Sequence, residues 1–292
     1  MFAIENECLM LKADSLGAQM MELNSRQGSR YLWDGDPAYW TGRAPVLFPF
    51  VARMTEGKCR LEGQVWEMGI HGFAKLSAFA VEEQTESSIT FLLEDNEQIR
   101  KQYPYHFQFR VRYALEGWRL SIRYQVNNLD EGQMHFGLGG HPGFRVPMTE
   151  GTEFEDYYLR FSRPCEPDRV GFTDELYLSG QDRPFPLENG RTLRLRHDLF
   201  DHDAIVLKHM DRCVTLGCDK SRRAVTVAFP QMPYVGFWHM PKKDAPYVCV
   251  EPWLSLPARQ GVIEDLACRS DFVHLEPGGV YCNDWSITVT ED

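Results

Sequence analysis

The chain has 292 residues, of which 43% are hydrophobic, 25% charged and 13% aromatic. This is the composition of an ordinary globular protein that is long enough to bury a large core. Lys and Arg number 31 against 42 Asp and Glu, which gives a formal charge of −11. Because binding to a polyanion requires an excess of clustered basic residues, this charge argues against nucleic acid as a partner.

The sequence carries no signal for a membrane or for export. No stretch approaches the ~18 consecutive apolar residues of a membrane-spanning helix. The first ten residues include Glu5 and Glu7 and lack the basic and apolar regions of a signal peptide. The eight cysteines are scattered without a CxxC pair, which favours reduced thiols in a cytosol over a zinc site. We therefore expect a cytoplasmic protein with no membrane partner and no metal.

In chain order, the predicted elements are almost all strands. Residues 60–66 predict a short hairpin around Glu62-Gly63, and 88–93 predict a strand. A short helix of two turns is predicted over 96–102, where Pro104 follows. Apolar residues then alternate over 107–115 and 118–126 around Glu116-Gly117, a strong hairpin signal. Later segments predict strands at 193–196, 225–229, 247–250 and 285–289 and one helical turn within 261–268.

These elements predict an all-β fold, one large antiparallel β-sandwich. Seventeen prolines and 23 glycines interrupt the chain every few residues, as many short strands require. The chain has no long linker, repeat of fixed period or low-complexity tract. We therefore expect a single domain over residues 1–292.

Two ionisable residues stand directly before prolines, His141 before Pro142 and Glu251 before Pro252. A proline pushes the preceding residue into an extended backbone, which gives its side chain a defined direction. Glu251 follows an apolar strand, so burial is expected to raise the pKa of its carboxyl. Facing one cavity, the two groups would form an acid–base pair. Alternatively, His141 is a core histidine and Glu251 is half of a buried ion pair with Arg53.

Other segments supply candidate sugar-binding groups. An apolar run, 44–52, ends in Arg53, and His71 lies in a Gly-rich segment. Asp203 lies in an acidic loop at the start of an apolar strand, where a carboxylate can hold a sugar hydroxyl. Trp238 belongs to an aromatic cluster of the kind that packs against pyranose rings, although such residues are also expected in any sandwich core. Other histidines, namely His106, His135 and His239, are predicted to be structural.

Taken together, the segments resemble the aldose 1-epimerase (mutarotase) family, above all a bacterial branch first noted in lactose operons. The blocks that carry the resemblance are Trp40-Thr41-Gly42-Arg43-Ala44-Pro45-Val46-Leu47-Phe48-Pro49, Gly69-Ile70-His71-Gly72-Phe73-Ala74, Gly139-Gly140-His141-Pro142, Leu199-Phe200-Asp201-His202-Asp203-Ala204 and Cys249-Val250-Glu251-Pro252-Trp253. The resemblance implies a β-sandwich of galactose-mutarotase type and a cofactor-free isomerase that interconverts the α and β anomers of an aldose.

The resemblance also implies roles for individual residues. His141 would protonate the ring oxygen, and Glu251 would remove the proton of the anomeric hydroxyl. Arg53 and His71 match family positions that bind sugar oxygens, and Asp203 matches an acidic one less surely. For this pair we expect a bell-shaped pH–rate profile with its acidic limb from Glu251 and its alkaline limb from His141.

The sequence also departs from the galactose mutarotases in ways that leave the substrate open. Gly143-Phe144-Arg145 stands where they usually carry Tyr-Phe-Asn, and Trp253 stands where they commonly have Gln. Arg145 raises the alternative of a sugar 6-phosphate as the substrate. A second alternative is a carbohydrate-binding or sensing protein without turnover, and the oligomeric state is left open.

Overall fold

Short and long strands alternate along the whole chain in the computed structural model, which describes residues 1–292. The first strands are β1 (Phe2–Glu5), β2 (Leu9–Ala13), β3 (Met20–Ser25), β4 (Val46–Leu47), β5 (Lys58–Leu61), β6 (Gln64–Glu67), β7 (Ala80–Gln84), β8 (Ser88–Glu94), β9 (Phe107–Glu116), β10 (Arg119–Asn128), β11 (Met134–Phe136), β12 (Gly139–Gly140) and β13 (Gly143–Arg145). The remaining strands are β14 (Tyr157–Phe161), β15 (Asp168–Arg169), β16 (Arg183–Pro184), β17 (Thr192–Arg194), β18 (Ile205–Lys208), β19 (Cys213–Cys218), β20 (Ser221–Ala228), β21 (Tyr234–Trp238), β22 (Tyr247–Trp253), β23 (Val273–Leu275) and β24 (Val280–Thr290).

Two large antiparallel sheets form the sandwich that the sequence predicts. One has nine strands in the order β17-β14-β19-β20-β24-β10-β9-β8-β7. The other has eight, in the order β16-β15-β18-β21-β22-β12-β4, with β13 pairing beside β22. Three strands (β1-β2-β3) and two pairs (β5-β6 and β11-β23) make smaller sheets. The all-β, antiparallel prediction is confirmed.

Both large sheets contribute to one apolar core. Phe109 and Ile287 come from the nine-stranded sheet, and Val235 and Val250 come from the eight-stranded one. These residues belong to one cluster of 68 buried side chains, which includes Ile4 near one end of the chain and Val289 near the other. A single domain over 1–292 stays a prediction.

The two predicted hairpins form, one of them with its turn displaced by one residue. Over β9 and β10, alternate side chains are buried, as the sequence pattern indicates. Because Glu116 pairs with Arg119, the two-residue turn is Gly117-Trp118 rather than the predicted Glu116-Gly117. In the β5–β6 hairpin, Glu62 and Gly63 both have positive φ, as this kind of tight turn requires.

Helical structure is shorter than the sequence predicts. Instead of two turns over 96–102, one turn forms at α1 (Glu97–Arg100), and the Asn96 side chain caps it by accepting from two backbone N–H groups. The segment 261–268 forms only a 3₁₀ turn at Leu266–Cys268. Further 3₁₀ turns are Thr55–Gly57, Ala74–Leu76, Phe154–Asp156 and His197–Phe200. None of these helices has the length and apolarity needed to cross a membrane.

Candidate active site

Strand pairing sets His141 directly opposite Glu251. Gly139 pairs with Trp253, and Gly143 pairs with Cys249. Since His141 lies two residues from each glycine, it falls across from Glu251, which lies two residues from each of their partners. The backbone around His141 is anchored by its N–H, which donates to Pro45 O.

Two small residues make this pairing possible. A Cβ on Gly139 would lie 2.8 Å from the carbonyl oxygen of Pro252, and one on Gly140 would lie 2.7 Å from the indole of Trp285. Both distances are shorter than a carbon atom tolerates, so the glycines are required for the sheet to close beside His141.

The two facing side chains form a close, buried pair. His141 Nε2 lies 3.2 Å from Glu251 Oε2. Glu251 is 1% exposed and His141 9% exposed. The contact between these side chains does not have the geometry of a hydrogen bond, so Glu251 Oε2, like His141 Nδ1, has no hydrogen-bond partner in the protein, although buried polar atoms are normally satisfied. Both groups therefore retain capacity to bind the polar atoms of a ligand.

Burial moves the two pKa values in opposite directions. It raises the pKa of Glu251 well above the usual glutamate value, and the negative charge of Asp203 adds to this effect. Burial, with a smaller contribution from the nearby Lys75 ammonium, lowers the pKa of His141 to about 3. In both cases the neutral form is favoured because charge is costly in a low-dielectric interior. The pair thus holds one proton, which rests on Glu251 in the free protein.

A cavity of about 360 Å³ opens above this pair, within the size range of small-molecule sites. All six residues that the sequence marks as catalytic or sugar-binding line it. They are Arg53, His71, His141, Asp203, Trp238 and Glu251. The geometry thus places every candidate site residue around one space, although they come from six separate segments of the chain.

His71 is held as a neutral hydrogen-bond donor. Its Nδ1 accepts from the backbone N–H of Ala52 at 3.0 Å, and the backbone N–H of His71 donates to Ala52 O at 2.7 Å. Burial lowers the pKa of His71 well below the usual histidine value, and His141 and Lys75 lower it further. With Nδ1 used as an acceptor, the ring proton lies on Nε2.

Arg53 and Asp203 take positions different from a simple ion pair with the catalytic groups. The Arg53 guanidinium donates to the backbone oxygen of Glu175 at 3.2 Å. The alternative of a buried Arg53–Glu251 ion pair is therefore wrong, because the ionisable side chain in contact with Glu251 is that of His141. Asp203 Oδ1 accepts from the N–H of Ala204 at 2.7 Å, which fixes the carboxylate at the start of β18.

Two tryptophans hold the His141 ring between them. Trp40 stacks on the imidazole with ring centroids 4.9 Å apart, and Trp238 meets it edge-on at 5.7 Å. Trp33 Nε1 donates to Trp40 O at 2.8 Å and so fixes the stacking residue. These apolar walls keep the imidazole in place and exclude water from one side of it.

Four residues that line the cavity have a left-handed backbone. Ala52, His71, Leu176 and Asp203 all have φ between 60° and 73°, a region that residues with a Cβ rarely adopt. Such strain is maintained only where the surrounding structure imposes it, and it is common in binding sites.

Sequence reasoning missed Lys75 and gave Trp40 no role. Lys75 lies in the 3₁₀ turn that follows the His71 block, lines the cavity and is half-buried, and burial lowers its pKa. Its only sequence signal is its place four residues after His71. Trp40 belongs to the first block of the resemblance, yet no pattern in the sequence links it to His141.

Several other sequence-based candidates lie outside the cavity. Arg145 forms an ion pair with Asp34 at 2.7 Å and does not line it. His106, His135 and His239, predicted to be structural, do not line it either. All eight cysteines are free thiols.

One set of residues at the site has the spacing of metal ligands. His141, Cys249 and Glu251 offer ligand atoms within 4.8 Å of one another. Burial raises the pKa of the Cys249 thiol well above its usual value, which opposes formation of the thiolate that a metal would bind. The expectation of a metal-free protein stays a prediction.

The fold and this site define a class of protein. An aldose 1-epimerase family model matches residues 1–281, and the chain belongs to that family. Its fold is of the galactose-mutarotase type, and membership supports an isomerase that acts on a sugar.

Individual relatives agree with this assignment. Protein LacX of Lactococcus lactis is 36% identical over 274 residues, which cover 90% of this chain and 91% of LacX. A galactose mutarotase related enzyme from Lactobacillus acidophilus is 34% identical with a TM-score of 0.94, covering 99% of this chain and 97% of the other. A galactose mutarotase-like protein from Lactobacillus casei is 28% identical with a TM-score of 0.92, covering 99% and 100%.

Proposed function

We propose that this protein is a cofactor-independent aldose 1-epimerase that interconverts the anomers of a free aldose, with Glu251 and His141 as its acid–base pair. The observation that carries the proposal is the buried contact of 3.2 Å between His141 Nε2 and Glu251 Oε2 at the base of a sugar-sized cavity. Family membership supports the reaction class.

The reaction requires two proton transfers and no net change in protonation. The Glu251 carboxylate takes the proton of the anomeric hydroxyl while protonated His141 gives one to the ring oxygen. The bond between C1 and the ring oxygen breaks, which leaves a free aldehyde. Rotation about C1–C2 exposes the other face, and the reverse transfers close the ring to the second anomer.

The reactive form of the pair differs from the resting form by one proton. Burial places the shared proton on Glu251, whereas the first step needs it on His141. The transfer crosses only the 3.2 Å between the two groups. Sugar hydroxyls that bind the unpartnered Glu251 Oε2 and His141 Nδ1 would stabilise the charged form, because hydrogen bonds to a charged group favour its ionisation.

The remaining lining residues serve binding. His71 Nε2–H and the Arg53 guanidinium donate to sugar oxygens, Asp203 accepts from a hydroxyl, and Trp238 packs against the ring. A sugar-binding or sensing protein would need this cavity but not a matched acid and base, so the pair favours the enzyme.

A sugar 6-phosphate stays the second candidate substrate, but the residue that suggests it is now Lys75 rather than Arg145. Arg145 lies outside the cavity, but Lys75 lines it with no ion pair, which favours an anionic substituent. The discriminating measurement is magnetisation-exchange NMR on free aldoses and their 6-phosphates. Faster exchange than the buffer background on a free aldose is expected, and no acceleration of any aldose or 6-phosphate would contradict the proposal.

Metal independence belongs to the same proposal. Dialysis against EDTA is expected to leave the rate of anomerisation unchanged, because proton transfer by His141 and Glu251 needs no Lewis acid. A loss of activity that a divalent ion restores would contradict this and would point to the set formed by His141, Cys249 and Glu251.

A further inference from the structure

Beside the active-site cavity lies a second, larger depression of about 860 Å³, which we call the outer groove. It is lined mainly by the loop between β15 and β16, residues 170–182, and by the turn at 201–203. Phe172, Leu176 and Asp203 line both spaces. The cavity and the outer groove therefore adjoin one another at these three residues.

The loop that lines the outer groove, residues 170–182, is held in place by hydrogen bonds between its own residues. Ser179 N–H donates to Gly171 O, and Gly171 N–H donates to the Asp182 carboxylate, both at 2.9 Å. Glu175 O accepts from Arg53, so the loop is also attached to the active site. A surface fixed in this way binds a ligand without first having to be ordered.

The groove is polar, with its charges balanced. The basic and acidic side chains in its lining are equal in number, namely Arg169, Arg183 and Lys242 against Asp174, Asp201 and Asp203. Selection of a phosphate requires an excess of positive charge, which the groove does not have. Its volume is also more than twice that of the cavity, far beyond the needs of one phosphate.

Two kinds of side chain in the groove suit a sugar ring. Arg169 is half-buried there, burial alone lowers its pKa, and its guanidinium has no ion pair or hydrogen bond within the protein. A partly desolvated donor of this kind gains from sugar hydroxyls as acceptors. Phe172 and Phe185 provide apolar faces in the same groove.

In the proposed reaction, the position of the anomeric carbon sets the orientation of the sugar in the cavity. Its anomeric centre must lie against Glu251 and His141, which are buried at the base of the cavity. The groove adjoins the cavity at Asp203, Leu176 and Phe172, which line both spaces. A substituent of the reacting sugar that points toward these three residues would lie in the outer groove.

We propose that the outer groove binds a second glycosyl unit, so that the preferred substrate is a reducing disaccharide whose reducing-end aldose occupies the cavity. This inference rests on the proposed function, because it takes the cavity as the place where the reducing end is anomerised. Arg169, Gln181 and Phe172 line the groove where the second ring would lie.

The test compares sugars that share one reacting ring. Glucose, maltose, lactose and melibiose all present glucose as the reducing end, and galactose with its 4-linked digalactoside forms a second set. The readout is kcat/KM for each disaccharide divided by kcat/KM for its free hexose, with hexose 6-phosphates as a further arm. For at least one disaccharide the ratio is expected to reach about ten, the gain from one hydrogen bond to a charged group.

Variants then locate the effect. Arg169→Gln removes the unpaired guanidinium, and Gln181→Trp fills the groove from an exposed position; both are expected to return the ratio to about one. Arg222→Gln is the matched control, since Arg222 is exposed and lines neither space, and it should leave the ratio unchanged.

The failures are distinguishable. Anomerisation of the hexoses with every disaccharide ratio at or below one would overturn the groove inference and leave the aldose 1-epimerase standing. A preference for a hexose 6-phosphate that Arg169→Gln removes would show that the groove binds phosphate, which also overturns it. No anomerisation of any sugar would overturn the proposed function together with this extension.

Discussion

Two pairs of ionisable side chains, one from each large sheet, differ sharply in their exposure. On the nine-stranded sheet, Arg123 pairs with Asp284 at 2.7 Å, and both side chains are about half exposed. On the eight-stranded sheet, β22 is buried along all seven of its residues, and Glu251 is enclosed with it. Exposed ion pairs contribute little to stability because water screens them, whereas burial raises the pKa of Glu251 well above its usual value. The candidate acid–base pair therefore lies where the regular alternation of buried and exposed residues ends.

The sharpest way to break this comparison is to remove one carboxylate from each sheet. Glu251→Gln and His141→Asn are each expected to fold normally and to lose about 10²–10⁴-fold in kcat/KM for anomerisation, because each group transfers a proton. Glu82→Gln, which removes the exposed partner of Arg110 on β7, should leave the rate unchanged. Polarimetry on purified variants measures both effects, and wild-type rates in either Glu251→Gln or His141→Asn would refute the assignment.

Close packing behind His141 provides a second test. Gly140→Ala places a Cβ 2.7 Å from the Trp285 indole and is expected to lower the free energy of unfolding by about 1–3 kcal/mol, as overpacking does. Gly132→Ala, whose nearest atom would lie 4.0 Å away, is the matched control. Urea unfolding of both variants measures the difference. Equal stabilities would show that the indole moves aside freely.

Sugar binding should depend on the donors around the pair. Arg53→Ala and His71→Ala are each expected to raise KM about tenfold with a smaller change in kcat, because each loses a hydrogen bond made before and during reaction. Arg145→Ala is the control, since that arginine pairs with Asp34 outside the cavity. Steady-state kinetics separates the two constants. An unchanged KM in both test variants would remove them from the binding site.

The value of kcat/KM for anomerisation should change little with pH near neutrality and should fall at both extremes of pH. Activity needs the pair to hold one proton, so the acid limb marks the gain of a second proton and the alkaline limb marks its loss. The pKa of His141, lowered to about 3, sets the acid limb, and the raised pKa of Glu251 sets the alkaline one. This reverses the assignment that the sequence suggests.

The measurement is kcat/KM against pH, corrected for the acid- and base-catalysed background. No acid limb is expected above about pH 5, because the lowered pKa of His141 lies well below that point. An acid limb near pH 6.5, the ordinary histidine value, would show that His141 is not desolvated in the working enzyme.

Local sequence patterns predict the hairpins of the fold well. Alternation alone identifies the β9–β10 hairpin, and the Glu62-Gly63 turn is identified by its residues. The helix at 96–102 is overpredicted: Asn96 caps it, but the helix ends at Arg100 and a turn follows before Pro104. The turn at Gly117-Trp118 is misplaced by one residue, since the register of a hairpin depends on both strands.

The site is predictable by residue but not by arrangement. Pre-proline placement identifies His141 and Glu251, yet their contact depends on the pairing of β12 and β13 with β22, more than a hundred residues apart. No local pattern encodes such a register. For the same reason the sequence does not predict the contact of Trp40 with His141. It also does not show that Arg145, which follows the His141 block, lies outside the cavity.

Activity should also report on folding, because it depends on the pairing of Gly139 with Trp253 and of Gly143 with Cys249. Contacts between segments so far apart in sequence form only after much of the chain has been ordered. A partly folded molecule can hold the β9–β10 hairpin and still have His141 and Glu251 far apart. The rate of anomerisation during refolding therefore counts only molecules in which the eight-stranded sheet is complete, and it should rise later than signals from the hairpins.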